Sequence, residues 1–447
     1  MAIWKWGLAG GLVLGVAACA SLGDFSSDDP GFAETAGTFE GRFLALSDAS
    51  MAGTAYADNQ LEPFAGMRDE LTLFADGAPQ SSIAAPNSVI SWPQVLGISP
   101  DGRSAYVVET RGDLDPSVSQ VENVYYDMPI AQRLLVFRVE GTTLSQIQVV
   151  EEIGSAPQSV EAPGAFPLLY IATEDTGAEL VTFSVLPNGT VEDRCTFDLR
   201  APYLPEDVEK RVRNIVVAPD GVTFAANVGN KRVQFYRMIL DLDQRPQEIE
   251  KIGDPIAFGV RLSTMKWASS GRYLIVTDVN AYESNLAMLT QRGGQVFSIQ
   301  PPTETAPAQV IDQVRVGRFA EGVELSDDGT LIASIAMERT YLPQLPPLTF
   351  WPHRRQYALM LIRLDPETGR LEKLDEIRAA GVLPEDVIFD ETGQNLAVAT
   401  FHRRKGSDRT RGFIDFFSIE NGALRAQNKT QAVMRGPHDL VRVPSND

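Results

Sequence analysis

Val95–Val108 reads VLGISPDGRSAYVV: an apolar alternation, a Ser-Pro-Asp-Gly turn and a second apolar alternation. Period-two alternation suits a strand with buried faces, and Asp-Gly supplies a turn residue able to adopt positive φ. The stretch is therefore a β-hairpin. It returns as NIVVAPDGVTFAANV from Asn214, TMKWASSGRYLIVTD from Thr264, GVELSDDGTLIASIA from Gly322 and DVIFDETGQNLAVAT from Asp386. A degenerate copy joins Ala156-Pro157-Gln158-Ser159-Val160 to Leu168–Ala172. The turn glycines Gly102, Gly221, Gly271, Gly329 and Gly393 stand roughly 50–64 residues apart, with one double interval holding the degenerate copy. Recurrence at such a period marks a repeat architecture.

Each hairpin is followed by a third apolar strand, at Leu134–Val139, Leu180–Leu186, Val233–Met238, Gln295–Ile299, Leu359–Leu364 and Phe413–Ile419, and several run on through a Gly turn into a weaker fourth. Four antiparallel strands per repeat make the blade of a β-propeller. The termini supply the count. Pro437–Ser445 reads as one more first strand, while Gly41–Leu46 and Glu70–Phe74 read as second and third strands lacking a first. The expected fold is all-β: a seven-bladed β-propeller closed by a blade shared between the N- and C-terminal segments, which removes an exposed sheet edge.

Residues 1–18 carry Lys5 and then an apolar run from Gly7 to Ala18, too short to span a bilayer but suited to a signal peptide. Val16-Ala17-Ala18-Cys19 resembles a bacterial lipobox, which implies lipidation of Cys19 and a cell-envelope lipoprotein, at the outer membrane because Ala20 stands where an inner-membrane retention Asp would. The alternative is an ordinary secretory signal cleaved near Ala18 or Ala20. Residues 19–38 read as a lipid-attached acidic tether, with Asp24, Asp28, Asp29 and Glu34, and residues 39–447 as the propeller.

With 59 acidic against 39 basic residues the formal charge is −20, which argues against nucleic acid and against electrostatic adhesion to anionic lipid, so that the lipid anchor is the expected membrane contact. Only two cysteines occur, so with Cys19 lipidated Cys195 has no partner and is expected as a small core residue. No zinc spacing, phosphate loop or Gly-x-Ser-x-Gly elbow is present.

In a propeller the start of each innermost strand and the loop after each second strand share one face, around the mouth of the central channel. The residue eight before each turn Gly, with its equivalents in the two degenerate copies, gives Gln94, Gln158, Arg213, Ser263, Glu321, Glu385 and His438. All are polar in otherwise apolar strands. A second ring adds Glu161, Asn214, Lys266, Glu324, Asp386 and Asp439. Glu321, Glu385 and His438 come from three consecutive blades, so they are expected to converge, either with Glu321 or Glu385 as base and Arg213 or His438 polarising a carbonyl or, through Glu321 and Glu385, as oxygen ligands for Ca²⁺ or another divalent cation. The competing expectation is that polar residues merely line a wet channel.

Four loops between second and third strands are long: Thr110–Gln132, Asp278–Gly294, Glu338–Tyr357 and Thr400–Gly412. Thr340–Tyr357 carries four prolines and Tyr341, Phe350, Trp351 and Tyr357, a composition suited to a lid or docking surface. His353 and His402 fall in loops on the same face, and His402-Arg403-Arg404-Lys405 with Arg354-Arg355 reverses the overall charge there, which favours an anionic small molecule or a partner protein. A solvated loop paired with Asp113, Asp115 and Glu122 is the plainer alternative.

The Ser-Pro-Asp-Gly hairpins, the Pro-Gln and Pro-Glu-Asp-Val strand starts and the split closing blade resemble the lactonase-type seven-bladed β-propellers over roughly Gly41 to Asp447. The resemblance implies hydrolysis of sugar lactones by charged residues at the channel mouth, and Glu321, Glu385, Arg213 and His438 are the positions that match such a role. Two functions follow: a monomeric, lipid-anchored extracytoplasmic propeller binding a partner protein or small ligand on its loop-rich face, or a lactone or ester hydrolase. Gln94, Gln158, Asn214, Lys266, Asp386, Asp439, His402 and Trp351 are the expected ligand contacts.

Overall fold

Alternating apolar strands closed by glycine turns build seven blades of four antiparallel strands each, consecutive in the chain in six of them. The structure is a computed structural model and describes residues 33–88, 90, 93–199, 211–229, 231–259, 261–279, 293–341, 356–403 and 409–445. Cys19, Trp351, His353, Arg354, Arg355, Arg404 and Lys405 lie outside the described residues, as do the signal and most of the tether. Among the described residues no helix is long and apolar enough to cross a membrane.

Blade 1 comprises Leu96–Ile98, Ser104–Arg111, Ile130–Glu140 and Thr143–Val150; blade 2, Ser159–Glu161, Leu168–Ala172, Leu180–Val185 and Val191–Phe197. Blade 3 comprises Val212–Val217, Thr223–Val228, Arg232–Leu240 and Pro246–Ala257; blade 4, Leu262–Trp267, Leu274–Asp278, Gln295–Gln300 and Gln309–Arg315. Blade 5 comprises Ala320–Leu325, Leu331–Ala336, Gln356–Leu364 and Leu371–Ala380; blade 6, Val382–Phe389, Asn395–His402, Arg411–Glu420 and Ala423–Met434. Blade 7 takes its innermost strand, Pro437–Val443, from the C-terminus and Arg42–Ser47, Glu70–Ala75 and Ala78–Ala84 from the N-terminus. Arg42 pairs with Val443 and Leu46 with Asp439, so the ring closes as the split repeat predicts. Ala33–Glu34 adds two residues of parallel pairing to the outer edge of blade 6, where Arg411 holds Glu34 through two bonds of 3.0 Å.

Apolar faces of adjacent blades form the core, as where Tyr170 of blade 2 meets Phe224 of blade 3, on which Tyr236 stacks. Polar staples join the blades as well. Ser159 Oγ accepts the N–H of Ile215 at 3.0 Å, Asp386 Oδ2 that of Leu440 at 2.8 Å and Asp439 Oδ2 that of Leu96 at 2.8 Å. Each is an innermost-strand side chain reaching the next blade's innermost backbone.

Cys195 departs from its expected core position. It is half-buried on Val191–Phe197, the outermost strand of blade 2, where most side chains face solvent because no further strand covers them.

Candidate active site at the channel mouth

The chain enters four innermost strands through a left-handed residue placed two before the ring position: Ala156, Phe319, Leu383 and Gly436, with φ of 44°, 57°, 50° and 76°. Positive φ is costly for residues with a Cβ, most of all for bulky ones, and is kept where the surroundings over-determine it. Here it turns the backbone so that the next side chains, Gln158, Glu321, Glu385 and His438, are enclosed by the ring. All seven predicted ring residues are buried, with Ser263, Glu321, Glu385 and His438 at 0 % exposure.

Glu321 and Glu385 come together from blades 5 and 6, and His438 holds the equivalent position on the adjacent blade 7. Gly322 permits the approach of blades 5 and 6, since a Cβ there would lie 2.5 Å from the backbone oxygen of Glu385. The Glu321 carbonyl is fixed from blade 4, accepting bonds from the Thr277 hydroxyl at 2.9 Å and from the Thr264 hydroxyl. Among the described residues, the carboxyl oxygens of Glu321 and Glu385 have no hydrogen-bond donor at good geometry beyond the Tyr56 hydroxyl beside Glu385. Burial pushes Glu321 up to about 8. Glu385 is raised well above the carboxylate range, by burial first and then by the charges of Glu321 and Asp48, while the Tyr56 hydroxyl beside it offsets part of the rise. Such orphaned, pKa-shifted carboxyls are costly and cluster at functional sites.

His438 is fixed in one tautomer. The Asn87 amide nitrogen donates to Ser47 O at 3.0 Å and Ala85 O at 2.8 Å, so Asn87 Oδ1 accepts from His438 Nε2–H at 2.6 Å. The Nδ1 lone pair is buried with no partner among the described residues. Burial lowers the imidazole to about 3, which keeps it neutral.

Blades 1 to 4 present the opposite charge. Glu174, after the second strand of blade 2, contacts Arg213 at 2.9 Å, Arg111 at 3.3 Å and Arg211 at 4.0 Å. Gln158 joins them, 3.4 Å from Glu174 Oε1 and 3.5 Å from Arg213 Nη1. Arg213 is therefore engaged by Glu174 and stands with the arginines, not with the carboxyl pair. Tyr125 feels the charges of Arg261 and Arg213 and also those of Glu321 and Glu385.

Below the mouth, Gln94 reaches across the axis. Its amide donates to Met265 O of blade 4 at 2.9 Å and its oxygen accepts from Asn214 of blade 3, whose amide also donates to Ser263 O at 3.1 Å. Gln94 and Asn214 thus cross-brace the channel. Deeper, Lys266 pairs with Glu324 at 3.0 Å, and Glu161, Asp386 and Asp439 surround them. Burial drives Glu161 and Asp439 up to about 7 despite the Lys266 charge. Asp386 and Asp439 each commit an oxygen to a blade staple, and His402 Nδ1 lies 3.0 Å from Arg403 O. Arg403, expected to serve an anionic ligand, forks onto Asp415 of its own blade.

Sequence comparison offers no relative: no family profile and no curated protein matches the chain. Structure comparison does. The periplasmic gluconolactonase of Pseudomonas aeruginosa superposes with a TM-score of 0.59 at 18% identity, over 90% of this chain and 100% of its own. A candidate 6-phosphogluconolactonase of Bacteroides fragilis superposes at 0.60 and 15% identity, over 92% and 100%. The fold is that of the lactonase-type seven-bladed β-propellers.

In this seven-bladed propeller the mouth is roofed by Tyr341, from the loop expected to form a lid, together with residues that sequence patterning missed. Tyr56, on the four-residue helix Ala55–Asp58 of the blade 7 loop 48–69, stacks on Tyr125 of the blade 1 loop at 6.1 Å and 15°. Tyr341 meets Phe319 edge-on at 5.0 Å, and Met51, Leu61, Val124 and Met128 complete an apolar cap. The length of loop 48–69 was the available signal. Arg435, fully buried, anchors that loop through Glu62, by an ion pair at 3.2 Å and a bond to its carbonyl, and through Ala49 O. Among the described residues no three His, Cys, Asp or Glu side chains are grouped to hold a metal, so Glu321 and Glu385 would supply a cation with two carboxyls only.

Proposed function

We propose that this chain is a lipid-anchored, extracytoplasmic propeller that binds a small anionic molecule at the channel mouth and hydrolyses a lactone or related ester within it. The observation that carries the reading is the buried carboxyl pair of Glu321 and Glu385, short of hydrogen-bond donors apart from the Tyr56 hydroxyl beside Glu385, with His438 and its unpartnered Nδ1 on the next blade. Arg111, Arg211 and Arg213 outnumber Glu174 on the other side, so a ligand would direct its anionic end to blades 1–3 and its acyl carbon to blades 5–7.

In that pose the pair holds at least one proton at neutral pH. Glu385, raised by burial and by the Glu321 and Asp48 charges, donates a hydrogen bond to the carbonyl oxygen as charge develops there, and Glu321, once ionised, takes a proton from the attacking water. His438 Nδ1 accepts a hydrogen bond from that water or a substrate hydroxyl. Collapse of the tetrahedral intermediate breaks the ring C–O bond, the alkoxide takes the Glu385 proton, and a hydroxy acid leaves. The apolar cap excludes bulk water, which strengthens each of these interactions.

Binding without turnover is the second reading, favoured by that same cap, which encloses the mouth. A thermal-shift screen of the domain from Ser21 onward, against Ca²⁺, Mg²⁺, Zn²⁺, sugar lactones and sugar acids, tests both. A ligand at about a hundred times its Kd adds roughly 2.7 kcal/mol of stability. A shift lost in Glu321→Gln/Glu385→Gln supports the site, whereas no shift from any compound counts against it.

A further inference from the structure

The opposite face carries a second concavity, remote from the mouth. Between blades 1 and 2 the lower-face turns leave a groove of about 930 Å³, within the range of ligand sites. Its floor and walls are apolar: Tyr106, Val139, Leu168 and Val185 below, Pro100, Pro187 and Phe166 beside them. Its rim is basic, because Arg42, Arg103 and Arg138 all line it.

These guanidiniums are held without being neutralised. Arg42 Nη1 donates to Gly141 O at 3.0 Å and Arg138 Nη2 to Asn188 O at 3.0 Å, one bond apiece to a turn carbonyl. Arg103 is exposed on the Ser-Pro-Asp-Gly hairpin itself. Each guanidinium has five N–H donors, so among the described residues four remain to be used on each of Arg42 and Arg138. The lining carboxylates are Asp101 and Glu140, and Asp101 Oδ1 is occupied by Ser99 Oγ at 2.6 Å and Arg103 N at 3.0 Å. A cationic rim over an apolar floor, on a chain of net charge −20, is a local inversion of both charge and polarity.

We propose that this groove is a docking site for an acidic segment of a partner protein, with its carboxylates on Arg42, Arg103 and Arg138 and its apolar side chains on the floor between blades 1 and 2. The aliphatic and proline lining decides for a polypeptide over an acidic glycan, since a sugar ring would leave its hydroxyls against Val139, Leu168 and Val185 without partners. The rim is formed by hairpin turns locked to the blades: Tyr106 donates to Gly189 O at 3.2 Å and Val139 N to Arg103 O at 2.8 Å, so little ordering is required on binding.

The test is fluorescence polarisation of a labelled random copolymer of glutamate and tyrosine with the whole protein, repeated with Arg103→Glu/Arg138→Glu, with polygalacturonate and inorganic phosphate as competitors. Arg103 is exposed and Arg138 half-buried, and equal melting temperatures of variant and parent establish folding. The expected result is salt-sensitive binding, weakened at least tenfold by the double reversal and displaced by neither competitor. Absence of copolymer binding, or equal binding by the variant, overturns the proposal. Displacement by polygalacturonate overturns the polypeptide assignment in favour of an acidic glycan, and displacement by phosphate reduces the site to a simple anion site.

Discussion

At the scale of single residues, the carboxyls inside the ring set how stability follows pH. Glu321 titrates near 8 in the folded chain, and Glu161, Asp439 and Asp278 near 7, against roughly 4 when unfolded. The folded state therefore holds protons that the unfolded state has released, and stability falls as pH rises from about 4.5 to about 8, by about 1.4 kcal/mol per pH unit per proton. His438 acts in the other direction. Neutral when folded down to about 3, it costs stability as pH falls below about 6.5, where the unfolded imidazole gains its proton. With several carboxyls against one imidazole, melting temperature is expected to rise from pH 9 to pH 6, and Glu321→Gln to flatten that slope. A melting temperature that climbs toward pH 9 would contradict the assignment of these protonation states. The roles of Asp386 and Asp439 belong to this scale too. A polar side chain on an innermost strand reads alike whether it faces a ligand or the next blade, so sequence could not distinguish the staple from the contact. Asp439→Ala leaves the Leu96 N–H unpaired and is expected to cost about 1–3 kcal/mol in denaturant unfolding, with Asp439→Asn milder because an acceptor remains.

At the scale of elements, the hairpin is the legible unit and the loops are not. Its period placed every blade, and counting back from the turn glycine placed the ring residues that the structure buries. The left-handed residue two positions ahead of the ring was not visible, because Ala156, Phe319 and Leu383 are residue types that give no signal of positive φ, and only Gly436 does. Two substitutions test it by chemical denaturation. Gly436→Ala meets both φ of 76° and a contact of 2.0 Å with Asp48 O, and is expected to cost more than about 2 kcal/mol. Ala156→Gly removes strain at φ of 44° at some entropic expense and should be neutral or stabilising by up to about 1 kcal/mol. Equal effects of the two would mean that the turn into the innermost strand is not what positions the mouth. The cap was legible only in part: the loop carrying Tyr341 was expected as a lid from its prolines and aromatics, whereas Tyr56 and Tyr125 sit in loops without periodicity and stack only because blades 7 and 1 bring them together.

At the scale of the whole molecule, closure joins the two ends of the chain. Pro437–Val443 is paired along its length with Arg42–Ser47, so removing 437–447 would open the ring, expose a strand edge at blade 7 and delete His438 together. Such a truncation is expected to lose cooperative thermal unfolding, and a truncated chain that melts like the parent would disprove closure by the shared blade. The ring also explains why function was less legible than fold. A propeller needs apolar strands and turn glycines in every repeat, which sequence displays, whereas its chemistry rests on single residues from blades far apart in the chain, such as Glu174 gathering Arg111 and Arg213. The most direct measurement is hydrolysis of a panel of sugar lactones in a pH-stat by the parent and by Glu321→Gln/Glu385→Gln, with folding of both verified by circular dichroism. The account predicts enzymatic acid release by the parent and a loss of at least about a hundredfold in the variant, the scale of a general acid–base pair. Equal rates in the two proteins, or release no faster than in buffer, would contradict it.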